Sequence, residues 1–159
     1  MGHKRGEIKK IIFDLLYENT TAYQNVFVQR YVSFQDDIEF PAISIFCDSE
    51  EIKEIVQPNG YVRNLDLNIV IYTRNYIDDE DLSDKISNEI ERQIAKYKSK
   101  DFEIIYAKMK YDGSGDGSHS NSTTVLTFNI EYDCIENIDT LIDDFTEISI
   151  KNEVKNGFV

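Results

Sequence analysis

Apolar residues recur at Ile8, Ile11, Ile12, Leu15 and Leu16, while Lys9, Lys10 and Glu18 fall largely on the opposite side. That is the spacing of one helical face and predicts a helix over residues 4–18. The following "NTTAY" is rich in turn and capping residues. The period then shortens to two. In "NVFVQRYVSF", Val26, Val28, Val32 and Phe34 share one side, with Arg30 as the exception, and Phe27, Gln29 and Tyr31 share the other. This predicts a strand partly covered on both faces. "QDDIE" reads as a turn and "FPAISIFC" as a second strand, with Pro41 near its start where no ladder donor is required. The acidic stretch "DSEEIKEIV" predicts an irregular excursion or a short helix, closed by the turn signal Pro58-Asn59-Gly60.

"VRNLDLNIVIYTR" carries the cleanest alternation in the chain. Leu65, Leu67, Ile69 and Ile71 point one way and Asn64, Asp66 and Asn68 the other. A second helix follows, marked by Leu82, Ile86, Ile90, Ile94 and Tyr97. Asp78 to Asp81 cluster at its start and Lys96, Lys98 and Lys100 near its end, as the helix dipole favours. "FEIIYAKMKY" and "TTVLTFNIEYDC" read as two further strands. Leu141, Ile142, Phe145, Ile148 and Ile150 lie among acids and predict an extended arm or added strand.

The order of elements predicts an α+β fold: one domain over residues 1–150, a mostly antiparallel or mixed sheet of about five strands, and two helices packed on one face. One parallel or mixed pair is expected where the second helix crosses over. Residues 112–122 form a Gly/Ser hairpin tongue in this reading, and 151–159 a flexible tail.

The chain has 159 residues, 41% hydrophobic and 30% charged, which suits one globular domain. Its net charge is −13. Residues 1–30 carry +2, so the remainder carries −15. Such a surface repels phosphate backbones and argues against sequence-specific nucleic-acid binding. No apolar run approaches the roughly 18 residues of a membrane span, and "MGHKRGEIKK" lacks a hydrophobic signal core, so a cytosolic product without membrane partners is expected. Cys47 and Cys134 are expected to be reduced, half-buried packing residues.

Candidate chemistry is sparse. In "DGSGDGSHS", Asp112, Ser114, Asp116 and Gly117 match the first half of an EF-hand loop. The second half fails, because its twelfth position is Thr123 and its flanks are strands. No Gly-Lys-Ser/Thr follows, so the stretch is not a phosphate loop. His3 and His119 lack a nucleophile partner on a rigid element. Glu51-Ile-Lys53 matches half of a metal-nuclease site without its upstream acid. No cofactor, metal site or catalytic residue is expected. Arg63 and Arg74 flank the cleanest strand; each offers five fixed donors to a carboxylate, of a neighbouring subunit or of the same chain.

"FPAISIF", the acidic spacer, "GYVRNLDLNIVIYTRN" and the amphipathic helix together resemble the tail terminator proteins of long-tailed phages, the minor tail protein U group. "VLTFNIEYDC" and "LIDDFTEI" resemble that family's closing strand and tail. The resemblance covers the leading helix and most of the chain from Phe40 onward. It rests on packing residues; the longer tongue and the tail past Ile150 depart from the family's compact form. It implies a non-enzymatic, homo-hexameric ring in the virion tail or a phage-tail-like bacteriocin particle. Such a ring caps the tail tube, stops its polymerisation, and meets a neck or head-completion protein. Within it, Arg63 and Arg74 are expected at subunit contacts, and Asp143, Asp144 and Phe145 on a docking arm. The alternatives are another neck or tail protein (connector or tube subunit), a divalent-metal hydrolase using the tongue, and a small monomeric binding domain.

Overall fold

A computed structural model describes residues 3–30, 33–34, 37–56, 60–74, 79–114 and 121–135. Its elements in chain order are α1 (Lys4–Leu16), β1 (Val26–Val28), a 3-10 turn (Asp37–Glu39), β2 (Ala42–Val56), β3 (Gly60–Arg74), α2 (Asp79–Lys96), β4 (Phe102–Ser114) and β5 (Asn121–Ile135). The strands form one sheet in the order β1-β2-β3-β5-β4. The sheet is mixed and carries two helices, as the α+β reading expects.

His3 caps α1: its Nδ1 accepts from the Arg5 N–H at 3.3 Å, filling one of the donor groups a helix start leaves open. Ile8, Ile12 and Leu16 are fully buried, with Ile11 and Leu15 packed partly against the same core. In α2 the buried stripe is Ile86, Ile90 and Ile94. Both stripes belong to one core cluster with Leu65, Leu67, Ile69 and Ile71 of β3 and Leu126, Phe128 and Ile130 of β5, so the two helices share one face of the sheet. Each fully buried Leu or Ile contributes roughly 1.5–3 kcal/mol of apolar transfer. At one end of α2 the packing is polar. Ser83 and Ser87 are buried; Thr73 Oγ1 bonds Ser122 Oγ and lies 3.3 Å from Ser83 Oγ, while Ser87 Oγ donates to the Ser83 carbonyl at 2.8 Å.

Three strand expectations need correction. First, β1 is only three residues long. Gln29 adopts a left-handed φ of 53° while its N–H still reaches the Ile45 carbonyl at 2.9 Å, and this turns the chain off the sheet. Second, "DSEEIKEIV" is neither helix nor excursion. It continues β2, which pairs antiparallel with β3 as far as Val56↔Gly60. Third, the parallel pair is β1 with β2, not a product of the second helix. The α2 crossover links β3 and β4, which lie on either side of β5 and pair with it antiparallel.

Phe34, between β1 and β2, lies against the helix-free face. Phe34 contacts Phe27, Phe40 and Tyr72 with ring centroids 4.8–5.8 Å apart. Arg30, the exception in the alternation, lies over Phe27 and Phe34 and bonds Glu39 at 2.7 Å. The Phe40–Pro41 peptide is cis, and β2 begins at the next residue. Cys47 and Cys134 are free and half-buried.

Candidate assembly interface

β3 holds both singled-out arginines, eleven residues apart, which separates them by about 36 Å along the strand. They do not form one site. Arg63 lies on the helix-side face, level with Ile52 of β2 and Tyr132 of β5. Its Nη1 is 3.4 Å from Glu50, and Arg5 Nε approaches the same carboxylate at 3.7 Å. The Tyr132 hydroxyl donates to the other Glu50 oxygen. Glu50 is thus a nearly buried acid held by two guanidinium groups and a phenol. Arg63 Nε has no hydrogen-bond partner among the described residues. Arg74 ends the strand on the opposite face. It bonds Asp37 at 2.9 Å and Asn121 at 2.8 Å, and lies 4.6 Å from the Phe40 ring centroid. Both arginines therefore have carboxylate partners within the chain. Asp143, Asp144 and Phe145 lie outside the described residues.

Sequence reasoning missed Glu50, Arg5 and Tyr132. The only signal was the strand register, which places Glu50, Arg63 and Tyr132 on one face once β2 is known to continue past Cys47.

The strand pairing also defines the helix-free face. Its distal half carries Asp48, Glu51, Glu54, Asp66, Glu103, Glu131 and Asp133. Lys53 bonds Glu131 across β3 there, and this bond, more than any other contact, raises the lysine pKa; Lys108 and Lys110 of β4 lie further along the same face. Asp48 accepts from Asn68, whose amide oxygen accepts from Thr127 at 2.7 Å; Ser49 donates to Asp66 at 2.8 Å. The face is thus polar, hydrogen-bonded and strongly acidic. Divided over strands and spaced by Asn and Thr, its acids do not converge. Among the described residues, no three His, Cys, Asp or Glu side chains group closely enough to hold a metal ion.

The remaining candidates are scattered. Asp112 is exposed near the end of β4, opposite Thr123. Paired strands extend to Ser114 and Asn121, further into the Gly/Ser segment than the alternation placed their ends; Asp116 and His119 lie outside the described residues. An apolar groove of about 620 Å³ opens between α1 and β1, lined by Phe13, Val26, Phe27 and Val28 with Lys9 and Lys10 at its rim. Burial pushes the Cys47 thiol pKa up, opposed by Lys9 and Arg5. No described helix is long and apolar enough to cross a membrane.

The family model for phage minor tail protein U matches residues 3–132. No curated protein matches the chain. The family match spans α1, the whole helix layer and nearly all of the sheet, so the chain belongs to the phage minor tail protein U family and is a structural component of a phage tail.

Proposed function

We propose that this chain is a tail terminator: a ring that caps the tail tube, stops its polymerisation, and offers its far side to the neck or head-completion protein. The match to the minor tail protein U family over residues 3–132 carries this reading. The architecture supports it. Among the described residues, polar groups that could do chemistry are dispersed over strands or already paired, and the strongest feature is a charged sheet face. The role is association, with no reaction catalysed.

Six copies would together carry −78, since each carries −13. With the helices outside and the acidic sheet face turned to the channel, DNA would slide past without adhering; a phage-tail-like bacteriocin would use the same part with no DNA. Residues 1–150 act as one unit, and 151–159 as a tail. Arg63, on β3 one strand in from the outer edge of β2, is proposed at one subunit contact, and Arg74, at the opposite end of β3, at another. Asp143, Asp144 and Phe145 are proposed as the arm that docks on a tail or neck partner.

The test is tube growth. Purified protein added to polymerising tail-tube subunits of the same phage should end elongation at substoichiometric amounts, with rings visible at tube ends by negative-stain microscopy. Tubes that grow to unchanged length with bare ends would contradict the reading.

A further inference from the structure

Two long strand edges lie on opposite sides of this sheet. β4 is last in the strand order, so one edge of Phe102–Ser114 has no strand neighbour among the described residues. On the other side, β1 covers β2 only from Ile43 to Ile45. The outer edge of residues 47–56 has no strand neighbour among the described residues either. Long uncovered edges with apolar side chains are templates for pairing with another chain.

The two edges match face by face. On the helix-side face, Tyr106, Met109 and Tyr111 of β4 are 38–46% exposed, and Ile52 and Ile55 of β2 are 53% and 66% exposed. On the helix-free face, β4 presents Lys108 and Lys110, and β2 presents Glu51 and Glu54. All four are exposed, and none forms an ion pair with a described residue. Apolar would meet apolar on one face, and lysine would meet glutamate on the other. Direction agrees as well. β4 runs antiparallel to β5, β5 to β3, and β3 to β2, so β4 and β2 run in opposite directions. Copies related by rotation keep that relation, and the added pair would be antiparallel.

We propose that the free edge of β4 in one copy pairs antiparallel with the distal edge of β2 in the next, with Lys108 and Lys110 facing Glu51 and Glu54. The occupant of each edge is a second copy of this chain. The contact is head-to-tail, which closes into a ring when the rotation per copy divides a full turn. Bulges at Cys47/Ser49 and Ile52/Glu54 of β2 and Tyr106/Lys108 of β4 add the local twist and bend that curve a sheet toward closure. This inference rests on the ring reading above.

Charge reversal with rescue tests it. Lys108→Glu/Lys110→Glu and Glu51→Lys/Glu54→Lys change exposed side chains only, and circular dichroism checks that each variant folds. Each pair alone sets like charges against each other, and the concentration needed for half-assembly should rise about tenfold or more. All four changes in one chain restore opposite charges and should return that concentration toward wild type. Assembly of both two-residue variants at the wild-type concentration, or loss without rescue in the four-residue variant, overturns the edge assignment while leaving the ring. A wild-type chain that never assembles overturns the ring reading and this inference with it.

Discussion

Arg63 Nη1 and the Glu50 carboxylate meet 3.4 Å apart across the β2–β3 hairpin, and the acid they share with Arg5 and Tyr132 is nearly buried. Removing one partner of such a group leaves charge short of compensation. Arg63→Ala is expected to cost about 1–3 kcal/mol, because Arg5 and Tyr132 still hold the acid. Arg63→Glu should cost more, since it adds a second carboxylate beside Glu50. Urea midpoints of the two variants check this; equal midpoints at the wild-type value would show that the pair contributes nothing to the fold.

The helix layer is fastened to the chain entering β1 at a second point. Glu89 of α2 accepts from both the backbone N–H and the hydroxyl of Thr21, at 2.7 and 2.8 Å. Glu89→Ala leaves a partly buried N–H unsatisfied. A loss of about 1–3 kcal/mol in urea unfolding is expected. Thr21→Val, which keeps the N–H bond, should lose less.

Ile69 is fully buried at the centre of β3, between Ile45 and Leu126. Ile69→Ala should destabilise by about 2–5 kcal/mol through lost transfer energy and the cavity left behind. Thermal unfolding would show it as a clear drop in Tm. Ile38 is 85% exposed, and Ile38→Ala should leave Tm nearly unchanged.

The Cys47 thiol is held above its usual pKa by burial. A raised thiol pKa means less thiolate at a given pH, and the thiolate is the reactive form. At pH 8, Cys47 in the folded chain should therefore alkylate several-fold more slowly than in urea-unfolded chain, as read by peptide mass spectrometry. Equal rates would contradict the assigned burial.

Charge should make assembly of the proposed ring sensitive to ions. Copies at −13 each repel over about 8–10 Å at moderate ionic strength, and added salt or magnesium screens that repulsion. The concentration needed for assembly should fall as either is raised from a low-salt buffer. At high salt it should rise again if the lysine–glutamate contacts are lost. A flat response across both titrations would remove electrostatics from the account.

Much of the fold was legible because one face of the sheet is buried and the other is polar. Leu65, Leu67, Ile69 and Ile71 alternate with Asn64, Asp66 and Asn68, and the pleat turns that alternation into a core and a surface. The helices were legible in the same way, from Ile8, Ile12 and Leu16 and from Ile86, Ile90 and Ile94. The distal part of β2 was not. Its bulges at Cys47/Ser49 and Ile52/Glu54 each insert a residue and reset the phase, so "DSEEIKEIV" shows no clean period of two. The end of β1 was hidden because Gln29 gives no sign of its left-handed backbone, and Phe34 beyond it packs in an aromatic cluster with Phe27, Phe40 and Tyr72. Arg63 was visible as a candidate, but its partner was not. Glu50 is one of many acids until the hairpin register places it beside the arginine.

The most direct measurement is native mass by light scattering, over a range of protein concentrations in low-millimolar magnesium. The account predicts one closed species at six times the 18.5 kDa chain mass, with no larger forms as concentration rises. A mass that stays at one chain throughout, or a series that grows without limit, would contradict it.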